Sequence, residues 1–190
     1  MTIQPNFKLE KWLKEFTRIE SDIVRLKFNN DEFHNIAHRF NSRKLDVFYW
    51  EFAKRNYVSY MTMAVRRIAG TYRDGISLSK LLIDLRDNAS TVTRKWFLIQ
   101  WPGAIGESTF EDFFGKDKSL IADVVSRNIT ELADFTKPIR DRADQYEAHI
   151  DLNPKRDTDP TFNDLDQSIG IIVKLYKKYY YLFKQSSISI

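Results

Sequence analysis

Large apolar side chains recur at three- and four-residue steps in four long segments of this chain, and that spacing selects the helix. Leu9, Trp12, Leu13, Phe16, Ile19, Ile23 and Leu26 form the first stripe, and Ile121, Val124, Val125, Ile129 and Leu132 form a later one. The cleanest is the last: Phe162, Leu165, Ile169, Ile172, Tyr176, Tyr179 or Tyr180, and Phe183. Side chains placed every 100° line one face of a helix at these steps. The stretch from Leu45 to Tyr72 instead carries large residues on most faces, which predicts a long helix buried on several sides. No alternating strand pattern bounded by hairpin dipeptides and no internal repeat interrupts this. With only 6 Gly and 5 Pro in 190 residues, breakers are scarce. The expected fold is an all-α bundle of about six to eight helices. It forms one helical domain over residues 1–190, with 1–44 as an N-terminal helical extension and 45–185 as the bundle.

Local signals predict where the helices stop. Asn29-Asn30-Asp31 predicts the end of the first, with a short helix following from Asp31 to about Ser42 on Phe33, Ile36, Ala37 and Phe40. Gly70 and Gly75 mark the end of the long aromatic helix, and Ser77 is positioned to cap a helix on Leu78, Leu81, Leu82 and Leu85. Trp96-Phe97-Leu98-Ile99 reads as helix before the Trp101-Pro102-Gly103 turn, and Phe110, Phe113 and Phe114 as a further short helix. A residue preceding proline avoids the helical region, so Lys137-Pro138 predicts a boundary or kink, with a new helix to about Ile150. Asp151 to Pro160 reads as a loop, closed by a cap and capping box at Asp159-Pro160-Thr161 with Asp164.

Composition removes whole classes of chemistry. The absence of cysteine excludes disulfides, thiolate metal sites and cysteine nucleophiles. The glycines are too few and too scattered for a phosphate loop, a dinucleotide fingerprint or a nucleophile elbow, and no cofactor is expected. Nowhere do about 18 apolar residues run together, which predicts a soluble cytoplasmic protein with no membrane partner. The formal net charge is +4, and residues 1–75 hold the excess, with 14 Lys/Arg against 9 Asp/Glu. That balance permits a polyanionic partner without demanding one.

Three histidines can be weighed individually. His34 and His38 lie four apart, so on a helix they share a face and, with Asp31 or Glu32, have metal-ligand spacing. They lack the intervening Glu of the zinc-protease pattern, and two partly exposed helix residues are the preferred reading, with no metal site expected. His149 is preceded at seven residues by Arg142, which returns to nearly the same angular position two turns earlier. A permanently charged guanidinium and an imidazole titrating near neutrality suit metal-free RNA cleavage. The imidazole moves a proton at the 2′-OH or the leaving oxygen, and the guanidinium stabilises the phosphorane. The competing reading is a surface arginine plus a histidine placed favourably at a helix C-terminus.

In this order the residues resemble the HEPN superfamily, whose hallmark is Arg, four to six residues, then His, and in particular its abortive-infection-type branch. The resemblance runs from Phe48-Tyr49-Trp50 through Arg66-Arg67, to Ser77-Leu78-Ser79-Lys80-Leu81-Leu82, to Arg140-Asp141-Arg142 and Ala148-His149-Ile150-Asp151. It implies a homodimer in which the Arg-His helices face one another across a cleft. The implied activity is a metal-independent endoribonuclease leaving 2′,3′-cyclic phosphate, acting as a toxin or phage-defence effector with RNA as substrate and an antitoxin or other protein as partner. Other members are non-catalytic modules that bind a nucleotide or a protein. Two registers match the motif. Arg142 has the spacing but is followed by Ala143, where the family carries Asn, Asp or His. Arg140 has the polar neighbour, Asp141, but lies nine before His149 and aligns with it only if the helix bulges near Ala143 to Glu147. Lys174, Lys177 and Lys178 on the last helix are the candidate substrate-binding cations, set against the negative charge of Asp141, Asp144, Glu147 and Asp151.

Overall fold

Each stripe became a helix, and the helices pack as an all-α bundle. The computed structural model of the chain describes residues 7–43, 47–72, 75–100, 104–115, 119–147 and 160–184. Among them are seven α-helices: α1 (Phe7–Arg43), α2 (Val47–Ala69), α3 (Leu78–Asp87), α4 (Arg94–Gln100), α5 (Ala104–Phe114), α6 (Ala122–Arg142) and α7 (Phe162–Lys184). A 3-10 turn (Ala89–Thr91) follows α3, and a π-helical stretch (Ala143–Glu147) continues α6. The described residues form no strand, only an isolated antiparallel bridge between Thr93 and Ser119. No described helix is long and apolar enough to cross a membrane.

The core is one cluster organised around α6, which packs on α2, α3 and α7. Along α7, Leu165, Ile169, Ile172, Tyr176, Tyr179 and Phe183 are buried, so the stripe turns inward through Tyr179 and leaves Tyr180 at its margin. The first half of α1 lies against α7, with Trp12 and Phe16 on the ring of Phe183 at 5.9 and 5.5 Å and the Tyr176 hydroxyl donating to the Phe16 carbonyl at 3.2 Å. Residues 7–26 thus supply core to the bundle.

The predicted caps form. Ser77 Oγ accepts from Lys80 N at 3.2 Å at the start of α3, and its hydroxyl donates to the Gly70 carbonyl at 2.5 Å. Thr161 and Asp164 make the reciprocal pair at the start of α7, Thr161 N to Asp164 Oδ2 at 2.7 Å and Asp164 N to Thr161 Oγ1 at 3.2 Å. Asp159, Trp101-Pro102-Gly103 and most of the Asp151 to Pro160 loop lie outside the described residues.

Two expectations are corrected. The Asn29-Asn30-Asp31 run does not end the first helix, and no separate short helix follows, because α1 continues unbroken to Arg43. Asn costs a helix interior only about half a kcal/mol, and Asn30 is turned inward, 8% exposed, with both ends of its amide engaged. Tyr57 donates its hydroxyl to Asn30 Oδ1, and Asn30 Nδ2 donates to Asp166 Oδ1 at 3.0 Å. Beyond it, α1 and the start of α2 are zipped by rings: Phe33 stacks on Tyr57 at 3.7 Å, and Trp50 contacts Phe33 at 5.4 Å and Phe40 at 4.8 Å. Nor is α2 buried along its whole length. Met61, Val65 and Ile68 are, but Phe48, Tyr49 and Phe52 are 83%, 68% and 61% exposed.

Trp12 also ties α1 to α3. Its indole N–H and the Lys11 ammonium both donate to Asp84 Oδ2 at 2.9 Å, and Asn88 Nδ2 reaches Asp84 Oδ1 at 2.9 Å. Burial alone pushes the Asp84 carboxyl up, but the hydrogen bonds from Lys11 and Trp12 outweigh it and hold the group below its ordinary value. A depressed carboxyl stabilises the fold above its unfolded value of about 3.9, and that stability is lost as the pH falls through the lower folded value. Melting temperatures measured from neutral pH down into that acid range should therefore fall further for the wild type than for Asp84→Asn. Parallel curves would show that the carboxylate does not anchor α1 to α3.

Candidate functional site

The arginines of the motif sit where α6 departs from regular geometry. Pro138 lacks the N–H that Asp134 would receive, and its ring presses on that turn. The predicted boundary there does not occur, because α6 runs through Pro138 to Arg142. Side chains cover the carbonyls of the weakened turn: Ser168 of α7 donates to Phe135 O at 2.7 Å, Thr136 donates to Leu132 O at 2.6 Å, and Arg140 Nη2 donates to Ala133 O at 3.2 Å. The Arg140 guanidinium thus lies back along the helix toward its N-terminus, and its Nε is buried with no hydrogen-bond partner among the described residues.

Past Arg142 the helix widens into the π-helical stretch Ala143–Glu147. A shared face for Arg142 and His149 follows from a rotation of 100° per residue, and the described backbone leaves that rotation at Ala143. The same widening is what the Arg140 register requires. His149 lies outside the described residues, as does Asp151. Ala143 is fully buried, and the stretch it opens packs on α2, so a polar side chain buried at this position without a partner would cost on the order of 1–3 kcal/mol.

Arg142 is half-buried, its guanidinium 5.4 Å from the Tyr146 ring. It lines a cleft of about 40 Å³ with Val58, Thr62, Thr161 and Phe162. Thr62 is buried, and its hydroxyl has no hydrogen-bond partner among the described residues. A cavity of that size holds a water or a phosphate oxygen and no more.

The neighbouring carboxylates have partners of their own. Lys137 Nζ lies 2.5 Å from Asp141 Oδ2, one turn back on α6. Asp144, on the π-helical stretch, accepts from Arg66 Nε at 2.5 Å and from the Tyr72 hydroxyl at 3.1 and 3.3 Å. Arg66 also lies over the Tyr72 ring at 4.0 Å. Burial, and then the bond to Asp144, push the Tyr72 hydroxyl above its ordinary value, so it remains a donor at neutral pH.

The lysines of α7 are placed elsewhere. Helices α6 and α7 run antiparallel, Ser168 meeting Phe135, Lys174 meeting Glu131 at 2.6 Å and Tyr179 meeting Asn128. Arg142 lies level with Thr161 and Phe162, so Lys174 stands about 18 Å away along the axis at 1.5 Å per residue, and Lys177 and Lys178 stand further still. Lys178 is half-buried against Tyr179, and desolvation, with help from the charge of Lys174, pulls its ammonium below the ordinary value. Of the other histidines, His34 Nε2 lies 2.9 Å from Asp166 Oδ1 and His38 is exposed. No group of three His, Cys, Asp or Glu among the described residues is placed to hold a metal.

Sequence reasoning did not anticipate the contact of Arg66 and Tyr72 with the motif helix. The only signal was Arg66-Arg67 in the aromatic segment, and nothing in the spacing joins residue 66 to residue 144. Comparison with family models, with curated proteins and with solved structures found no match to the chain.

Gly70 makes the arrangement around Asp144 possible. A Cβ at that position would stand 2.3 Å from Tyr72 Cε2 and 2.5 Å from the Arg66 carbonyl. Gly70→Ala should displace the Tyr72 ring from Asp144 and destabilise the fold by about 1–3 kcal/mol. Chemical denaturation measures the loss, and an unchanged midpoint would show that the backbone there relaxes freely.

Proposed function

We propose that the protein is a HEPN-like, metal-independent endoribonuclease of the toxin or phage-defence kind, working in the cytoplasm as a homodimer and restrained by a protein partner. Its chemistry is transesterification. The RNA 2′-OH attacks the adjacent phosphorus, the 5′-oxygen of the next nucleotide leaves, and the product ends in 2′,3′-cyclic phosphate. His149 moves the proton at one of these oxygens, and Arg142 stabilises the charge on the phosphorane. The observation that carries this reading is the fate of the carboxylates around the motif. Asp141 is held by Lys137, and Asp144 by Arg66 and Tyr72, so two of the negative charges that would repel a phosphate beside Arg142 are offset by cations and a hydroxyl.

Arg142 is favoured over Arg140 as the motif arginine because the Arg140 side chain is turned back to Ala133, supporting the helix across Pro138. The cleft at Arg142 is far too small for a nucleotide, so substrate must be enclosed by something added to it. In this reading that is a second copy of the chain. The exposed Phe48, Tyr49 and Phe52 on α2 are the kind of apolar surface that self-association covers.

Purified protein should cut RNA but not DNA in the presence of EDTA. His149→Ala should lower the rate by about 10²-fold or more, and Arg142→Ala by a similar factor. Arg140→Ala should mainly lower the melting temperature. Reversal of the two arginine effects would assign the motif to Arg140 with Asp141. Full cleavage by His149→Ala, or an obligatory metal, would replace the enzyme with a non-catalytic helical module that binds a nucleotide or a protein partner. Sedimentation at micromolar concentration should give a dimer, and Phe48→Asp with Phe52→Asp should give a monomer. A wild-type monomer would overturn the composite site.

A further inference from the structure

A cavity of about 360 Å³ opens between the end of α2 and residues 75–77, lined by Tyr60, Met63, Arg66, Arg67, Tyr72 and Ile76 among others. We propose that it binds an unstacked base of single-stranded RNA, with the flanking phosphate received by Arg67. The cavity stands on its own geometry; the choice of RNA as the ligand rests on the endoribonuclease reading.

Its volume lies in the range of small-ligand pockets, roughly 300–1,000 Å³. Its walls offer rings at the surface: Tyr60 and Tyr72 line the cavity and are each 42% exposed. Tyr72 is also held before any ligand arrives. Its hydroxyl is bonded to Asp144, one face is covered by Arg66, and one edge lies against Gly70. A ring whose rotamer is already fixed loses little entropy when a base stacks on it.

The rim selects the charge of the ligand. Arg67 is 58% exposed, and its partner is Asp22 of α1 at 3.1 Å. An ion pair that exposed is weak, so the guanidinium can exchange the carboxylate for a phosphate at small cost. Arg66 is engaged by Asp144 and serves as part of the wall. The Ser77 hydroxyl is already committed to the Gly70 carbonyl, so stacking rather than reading of base edges dominates, and little sequence preference is expected. Asp144 joins this wall to the π-helical stretch two residues beyond Arg142, so a strand seated here is led toward the motif helix.

The test uses the full chain carrying His149→Ala, so that cleavage does not consume the probe, and fluorescence anisotropy with a labelled short oligouridine. Adding Tyr60→Ala should weaken binding by about 5- to 100-fold, Tyr60→Phe should restore it, and Arg67→Ala should weaken it and flatten its salt dependence. Circular dichroism melts identify variants that merely unfold. Tyr72→Ala should weaken binding as Tyr60→Ala does, and Tyr72→Phe, which keeps the ring and covers the case in which Tyr72→Ala fails to fold, should bind within a few-fold of the parent. Single-stranded RNA should bind more tightly than uridine monophosphate and than an RNA duplex. Ring-independent binding, equal binding of duplex and single strand, tighter binding of the free nucleotide, or competition by an acidic peptide as effective as by RNA would each overturn the proposal. Ring-dependent binding by a wild type that never cleaves would remove the catalytic reading and leave this one. Cleavage by a wild type whose rings are dispensable would do the reverse.

Discussion

The continuity of α6 across Pro138 is the constraint on which the rest of this structure depends. A proline in a helix interior removes one hydrogen bond and crowds the preceding turn, at about 3 kcal/mol or more if nothing compensates. The carbonyl that loses its donor is that of Asp134, and the carbonyls on either side of it are engaged from two directions, Phe135 O by Ser168 of α7 and Ala133 O by Arg140 of the same helix. The first couples α6 to α7 beside the buried Thr136 and Leu132, and the second assigns one motif arginine to a structural task. Were the helix to end at Lys137, Arg142 would not stand beside Phe162 and Thr62, and the π-helical stretch would not reach α2.

The second half of α2 is where core and candidate site meet. Its inward residues Met61, Val65 and Ile68 belong to the common core, while Tyr60, Met63 and Arg67 on its other side line an open cavity. Arg66 lies between the two, bonded to Asp144 and flat on Tyr72. One helix therefore fixes the position of the motif segment and of the cavity wall together, so a change in either is felt by the other through Asp144. The first half of α2 has different neighbours among the described residues. It pairs with the end of α1 through stacked rings and leaves Phe48, Tyr49 and Phe52 at the surface.

Much of the fold was legible in the residues. Stripes at three and four steps predicted α1, α6 and α7, Ser77 predicted the start of α3, and Thr161 with Asp164 the start of α7. Local rules failed where a distant side chain changed the balance. Asn30 reads as a breaker because its amide competes for backbone groups, but Tyr57 and Asp166 occupy that amide from other helices. Lys137-Pro138 reads as a boundary or kink because the lost hydrogen bond and the crowding by the ring are local, whereas the support that Ser168 of α7 gives to Phe135 O comes from thirty-three residues away.

By itself, the sequence determined the helical class, the inward faces and the caps, because these depend on side-chain spacing and on hydrogen bonds that close within one turn. It also confined the chemistry to groups other than thiols and phosphate loops, and it offered Arg140, Arg142 and His149 as candidates. Tertiary structure alone decided which groups surround those arginines. It gave Asp144 to Arg66 and Tyr72, Asp166 to Asn30 and His34, and Lys174 to Glu131 at a distance from Arg142. It also decided that the position after Arg142 is buried, which makes Ala143 fit where a polar residue would not. The physical reason is that charge pairing and burial depend on distances between helices. Those are set by how the bundle closes, and no period along the chain encodes them.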